Sequence, residues 1–218
     1  MGWRLIASDL KPHFSMSKVV IDVSISLDGY IAGPDDGPSL PLGGRGGQHV
    51  FDWYFSGTSP YEGSMFRPAA ANRKVVAEMF ERAGAMLTGR RTYEIANGWG
   101  GTHPVNAIPI VILTHQPPAN PPKGKSQIVF VSDGIKSAVA KAKGLAHGKD
   151  VGIAGSSAAQ QALQASLVDE IYLHVAPILL GAGVRLFDHF GSHSIPLRRI
   201  NCYEGEDATH LRYTVLRN

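Results

Sequence analysis

Three short stretches of this sequence bring together the residue types that hold phosphate. In Leu87-Thr88-Gly89-Arg90-Arg91-Thr92-Tyr93-Glu94, a short apolar run stops at a glycine and is followed by two arginines and a threonine. Glycine lets backbone approach a ligand, arginine offers a forked set of donors, and a hydroxyl at the start of a helix can bond an oxyanion. A second turn, Ile153-Ala154-Gly155-Ser156-Ser157, offers amide donors and the positive end of a helix dipole. A third, Leu113-Thr114-His115, closes an apolar strand with a hydroxyl and an imidazole. Each turn alone is ordinary punctuation between strand and helix. Three of them at the carboxyl ends of strands describe an anion cradle, because open α/β sheets bind their ligands there.

Other motifs point away from the commoner chemistries. Gly181-Ala182-Gly183-Val184-Arg185-Leu186 has two glycines of the dinucleotide fingerprint without the third, and opens no helix, so it reads as a turn. No Walker sequence is present. His189 and His193 are four apart, but Gly191, Ser192 and Ser194 make the segment a loop, and no metal is expected. Asp28, in Ser26-Leu27-Asp28-Gly29-Tyr30, is the first candidate to orient a substrate or relay a proton, and His49 is the second. Asp28 also fits the plain role of a turn aspartate bonding its own backbone.

Those turns need strands and helices behind them. Val19 to Ser24 is a β-rich run. From Gly33 to Gly63 there are eight glycines, a long irregular loop interrupted by Phe51-Asp52-Trp53-Tyr54-Phe55. Loops of this length are usually functional or disordered, and four aromatics in five positions argue for function, with Trp53 and Tyr54 shaping a substrate pocket. A short helix packed on the core is the alternative. A helix is expected from Asn72, as its cap, to Ala83, then a strand from Ala85 to Thr88 and a short helix from Thr92 to Ala96. Pro109 to Thr114 is a continuous apolar strand, as in a parallel sheet covered on both faces. Ile128 to Ser132, a helix from Ile135 to Ala146, and a strand from Val151 to Ala154 follow. Ser157-Ala158-Ala159-Gln160 has capping-box spacing and opens a helix to about Ser166. The strands Glu170 to Leu180 (broken by Pro177), Arg198 to Tyr203 and His210 to Leu216 close the chain. In the last of these Leu211, Tyr213 and Val215 alternate with polar residues, marking a solvated or subunit-facing side. The order predicts a three-layer α/β/α domain with a mostly parallel central sheet and an antiparallel C-terminal edge.

With 218 residues, one such domain over residues 18–218 is sufficient, preceded by a flexible extension over residues 1–17 or an upstream start codon. A net charge of +3 and a pI near 9.0 arise without any basic tract, so neither nucleic acid nor a membrane is an expected partner. A basic pocket for a small phosphorylated ligand suits the same numbers. The single cysteine, Cys202, forbids an internal disulfide and suits the cytoplasm.

The chain resembles the dihydrofolate reductase-like superfamily and, within it, the reductase domain of the bifunctional riboflavin-biosynthesis deaminase-reductase in stand-alone form. The resemblance rests on Ser26-Leu27-Asp28-Gly29-Tyr30-Ile31-Ala32, Thr88-Gly89-Arg90-Arg91-Thr92-Tyr93-Glu94, Gly152-Ile153-Ala154-Gly155-Ser156 and Pro177-Ile178-Leu179-Leu180-Gly181-Ala182-Gly183-Val184-Arg185-Leu186-Phe187. It implies NADPH as cofactor, with Gly89, Arg90, Arg91 and Thr92 on its phosphates, Thr114 and His115 near the adenosine 2′-phosphate, and Gly155, Ser156 and Ser157 on the pyrophosphate. It implies hydride transfer to a C=N or C=O of a small heterocyclic substrate, like the 5-amino-6-(5-phosphoribosylamino)uracil reductase, and a homodimer formed through the late strands. One cysteine is too few for the zinc deaminase signature, so reduction alone is expected. A dihydrofolate-type reductase and a non-catalytic dinucleotide-binding protein remain the alternatives. The acidic residue that dihydrofolate reductases carry on their first helix has no counterpart here.

Overall fold

The computed structural model describes residues 17–44, 46–190 and 194–217. The N-terminal extension up to residue 16, and His193 of the histidine pair, lie outside the described residues.

Eight strands form one sheet. β1 (Val19–Ser26), β3 (Ala83–Gly89), β4 (Ile110–Leu113), β5 (Ile128–Val131), β6 (Asp150–Ala154), β7 (Glu170–Ala176), β9 (Leu197–Glu204) and β10 (Thr209–Val215) stand in the order β5-β4-β3-β6-β1-β7-β10-β9. Pairing is parallel from β5 to β7 and antiparallel for β10 and β9. A separate two-stranded ribbon joins β2 (Tyr30–Ala32) to β8 (Val184–Arg185). The helices are α1 (Ala70–Arg82), α2 (Arg90–Ile95), α3 (Ile135–Leu145) and α4 (Ser156–Gln164), with a 3₁₀ helix over Gly47–Tyr54. The three-layer arrangement with an antiparallel edge is the one the element order predicts.

Strand periodicity divides the sheet into two chemically different faces. Successive side chains on a strand point to opposite sides. Val19, Ile21 and Ile25 of β1 and Ile171 of β7 join Leu87, Val111 and Ile153 in the main core, where they meet Ala138, Val139 and Ala142 of α3 and Ala158, Ala159 and Ala162 of α4. The alternate positions of β1 and β7 therefore face the other way, and these are Asp22, Ser24, Glu170, Tyr172 and His174. β10 adds His210 opposite His174 and Arg212 opposite Tyr172. The polar side of β10 is thus directed inward, and His210 is only 2% exposed. The solvated or subunit-facing reading of that side fails because α1 and the 3₁₀ helix cover it.

The aromatic run in the long glycine-rich segment is split between core and ligand space. Trp53 is completely buried with Tyr61, Val75, Val76 and Ala208, and its indole N–H donates to Ser24 Oγ at 2.9 Å. Tyr54 stacks on it with centroids 3.7 Å apart. Asn72 is not a helix cap. The helix begins at Ala70, and the buried Asn72 amide donates to Trp53 O at 3.1 Å and Glu206 O at 2.8 Å, tying the aromatic turn to the β9–β10 hairpin. Nor does Ser157 complete a capping box. Gly155 precedes α4 with no side-chain cap, and Ser157 Oγ instead accepts from Gln161 Nε2. Glycine is required at 155, where φ is +85° and a Cβ would be driven into Thr92 Oγ1.

Because Trp53 is fully enclosed and its N–H is satisfied, Trp53→Ala should cost about 3–5 kcal/mol of stability in urea unfolding.

Candidate active-site cleft

β4, β3 and β6 are neighbours in the sheet, so the turns that end them open side by side. All nine residues proposed from the sequence to hold phosphate, Gly89, Arg90, Arg91, Thr92, Thr114, His115, Gly155, Ser156 and Ser157, line one cleft of about 1110 Å³. Thr88 Oγ1 donates to Ala154 O at 2.8 Å and fastens two of the turns together. The absent cap at Gly155 leaves the first-turn amides of α4 directed into this space.

The arginines of the cleft are held by protein partners. Arg90 Nε donates to Glu94 Oε1 at 2.6 Å, and its Nη1 to Gln116 O at 2.7 Å. Arg91 Nη2 bonds Asp36 Oδ1 at 2.5 Å and Asp36 O at 2.7 Å, which ties the long loop to α2. The Arg90–Glu94 pair is exposed on both sides, and such pairs are worth only about 0–1 kcal/mol, so a phosphate can take over that donor at small cost; at Arg91 only the arginine is exposed, because the Asp36 side chain is 11% exposed. Thr114 forms a local turn, its Oγ1 accepting from Gln116 N at 3.2 Å, and His115 stands exposed beside it.

Further along, the cleft passes over the polar face of β1, β7 and β10. Asp22, Tyr172, His174 and Arg212 line it there, beneath an apolar wall of Tyr54, Phe55, Met65, Phe66 and Met79. His174 Nε2 lies 2.8 Å from Asp22 Oδ1, and His174 Nδ1 lies 2.8 Å from His210 Nδ1. Arg212 is paired with Glu78, and the Tyr172 hydroxyl with Glu170. Burial and the nearby Asp22 charge raise the Tyr54 phenol, so it stays protonated. None of these floor residues was singled out in the sequence. The available signal was an ionisable residue inside an otherwise apolar strand, as in Val19-Val20-Ile21-Asp22-Val23 and Ile171-Tyr172-Leu173-His174-Val175.

Three residues nominated from the sequence stand outside the cleft lining. Asp28 accepts from Ser26 Oγ at 2.6 Å, Gly181 N at 2.7 Å and Leu180 N at 3.1 Å, so it clamps the turn after β1 to the segment after β7. The Ser26 hydroxyl above all, with those amides, outweighs partial desolvation and holds the carboxyl down at about 2. A carboxylate that acidic has no proton to give at neutral pH. His49 is exposed on the 3₁₀ helix and paired with Asp52 at 2.7 Å. Trp53 lies in the core, stacked against Tyr54, with its indole N–H held by Ser24 Oγ. Among the described residues no His, Cys, Asp and Glu side chains gather as a metal site requires, and no helix is long and apolar enough to cross a membrane.

Residues 17–211 match the family model described as the RibD C-terminal domain. No curated protein sequence matches the chain. Among solved structures, the chain is similar to a candidate riboflavin biosynthesis protein of Shewanella sp. PV-4, with 23% identity and a TM-score of 0.66 over 92% of this chain and 99% of that one. It is similar to the diaminohydroxyphosphoribosylaminopyrimidine deaminase/5-amino-6-(5-phosphoribosylamino)uracil reductase of Thermotoga maritima, with 12% identity and a TM-score of 0.58 over 92% of this chain and 57% of that one. A dihydrofolate reductase of Enterococcus faecalis complexed with NADP(H) shares 13% identity and a TM-score of 0.52 over 93% of this chain and 98% of that one. At these identities the structural likeness concerns the fold.

The cleft also carries a pH-sensitive element. Burial pushes the His103 imidazole down to about 4, so it is neutral in the fold and takes up a proton on unfolding below its ordinary value of 6.5. Its contribution is complete above 6.5 and is lost as pH falls through 4. His103→Gln should therefore flatten the pH dependence of unfolding free energy between those values, as read from denaturant midpoints across that range.

Proposed function

Because the chain belongs to the RibD C-terminal domain family, we propose that it is an NADPH-dependent reductase acting on a C=N or C=O of a small heterocyclic substrate, related to the 5-amino-6-(5-phosphoribosylamino)uracil reductase of riboflavin biosynthesis. The observation that carries this reading is one continuous cleft with donor-bearing turns from β3, β4 and β6 at one end and an acid–imidazole floor from β1, β7 and β10 at the other.

The residues present fit the cofactor. Gly155 leaves room for a phosphate beside the uncapped first turn of α4, where a side chain at 155 would close the approach. Arg90 and Arg91 supply forked donors that favour an additional phosphate, and Thr114 and His115 complete that end. When bound, NADPH supplies the hydride. The chain's own task is to orient the two molecules and exclude water, and the apolar wall of Tyr54, Phe55, Met65, Phe66 and Met79 serves both on the substrate side. Asp28 contributes from behind, by fixing the segment that carries Leu180 and Gly181.

We place the protein in the cytoplasm, which suits a lone exposed thiol at Cys202. We also assign it a homodimer through the C-terminal edge, where β9 exposes Leu197 and Ile200. Light scattering should then give twice the 23.4 kDa of the chain. A mass equal to one chain would remove the dimer.

The cofactor assignment is checked by melting curves. NADPH at about 100 times its Kd should stabilise the protein by about 2.7 kcal/mol. Replacing Arg90 and Arg91 together with Gln should weaken the response to NADPH far more than the response to NADH. No shift with either nucleotide would sink the cofactor reading, and an equal loss of both would sink the role given to the two arginines.

A further inference from the structure

Three hydrogen bonds run in series from the cleft floor into the core. Asp22 Oδ1 faces His174 Nε2 at 2.8 Å, His174 Nδ1 faces His210 Nδ1 at 2.8 Å, and His210 Nε2 faces Asn72 Oδ1 at 3.2 Å. The far end has a fixed polarity. Asn72 Nδ2 points at two carbonyls, Trp53 O and Glu206 O, which can only accept, so the atom turned to His210 is the amide oxygen. His210 Nε2 must therefore carry a proton. Gly205 seals this end, since a Cβ there would stand 2.6 Å from His210 Nε2.

The count of protons follows. Three hydrogen bonds need three protons, and two neutral imidazoles carry two. Burial, and next the neighbouring His174, push His210 down to about 3, so His210 is neutral, with Nε2 protonated and Nδ1 bare. His174 must then donate from Nδ1. The remaining contact, between His174 Nε2 and Asp22, needs the third proton, held either on the imidazole or on the carboxyl. His174 is flanked by Asp22 and Ser24 of β1, His210 of β10, and the rings of Trp53 and Tyr54 of the 3₁₀ helix; Asn72 of α1 reaches His210, and Arg212, opposite Tyr172, is paired with Glu78 of α1. Arg212 is paired with Glu78, and among the described residues Asp22 is the carboxylate that contacts the imidazole chain. His174 is nearly enclosed and the Asp22 side chain is 24% exposed, so the open end of the chain is Asp22.

We propose that the Asp22–His174–His210 chain stores one labile proton at the cleft floor and that Asp22 presents it to the heteroatom of the substrate. This rests on the reductase reading for its use. As the substrate carbon gains hydride and forms its new C–H bond, the C=N or C=O π pair moves to the heteroatom. That atom then takes the proton from the Asp22–His174 pair and forms N–H or O–H. The pair is left one proton short and recovers it from water entering the cleft after product leaves. Asp22 is the residue that meets the substrate, while His174 and His210 are positioning residues that hold the proton in place.

The test uses the whole protein without cofactor or substrate. Ring-¹⁵N histidine and ¹³Cγ aspartate NMR at pH 7.5 should find three protons on the chain. His210 should be the neutral Nε2–H form, His174 should be protonated on Nδ1, and one further proton should be shared by His174 Nε2 and the Asp22 carboxyl. The shared proton should exchange with water faster as small buffer bases are added, while the His210 Nε2–H should not respond. In Asp22→Asn the amide donates to a bare Nε2, and the third proton is lost. A wild-type count of two, or a third proton as slow to exchange as that of His210, overturns the proposal whether or not the variant folds. NADPH melting shifts in the same samples separate the two ideas. A persisting shift with a count of two defeats the proton store alone, and a count of three without a shift defeats the cofactor reading alone.

Discussion

The burial of the odd-numbered residues of β1 and β7 against α3 and α4 governs most of what this molecule can do. Ile21, Ile25 and Ile171 must leave water, and a strand offers only two sides. Once they face the helices, Asp22, Ser24, Tyr172 and His174 have to face the opposite layer, where α1 and the 3₁₀ helix leave a cleft rather than a filled core. A shift of one residue in either strand would exchange the two sets and bury isoleucines in the ligand space. Parallel pairing from β5 to β7 adds the second half of the site, because it brings the carboxyl ends of β4, β3 and β6 to one edge.

The charges of the cleft are arranged to be present without being costly. Each of Arg82, Arg90, Arg91 and Arg212 is paired with a carboxylate, respectively on Asp150, Glu94, Asp36 and Glu78. The pair at Arg90 is exposed on both sides, whereas at Arg91 the arginine is exposed and Asp36 is largely buried. The pairs at Arg82 and Arg212 are partly buried, where removing one partner leaves an uncompensated charge, so they serve the architecture of the floor. The Arg91–Asp36 pair also ties α2 to the long loop through one side chain.

Much of the fold was legible because it depends on local pattern. The continuous run Ile110–Leu113 announced a strand covered on both faces, and the alternation of strands with helices announced the parallel sheet. The three turns were legible as a group because each ends an apolar run that reads as a strand, and the structure brings them to one cleft. The errors arose where a polar side chain bonds to something distant in sequence. Asn72 resembles a cap but reaches Glu206, and Asp28 resembles a catalytic acid but clamps Leu180 and Gly181. Trp53 resembles a pocket residue but fills the core through Ser24.

By itself, then, the sequence determined the element order, the glycine- and hydroxyl-bearing turns at the strand ends and the absence of a thiol-rich metal signature, since all three are properties of neighbours along the chain. The strand alternation that places polar residues on one face of β1, β7 and β10 was also present in it. Whether that face would meet solvent, a second subunit or a ligand was decided only by tertiary structure. That outcome depends on which layer covers the sheet, and the covering layer comes from residues 47–82, remote from β7 and β10 in sequence. The Asp22–His174–His210 chain is the clearest instance: three ionisable residues on three strands, adjacent only because β1, β7 and β10 pair in that order and register.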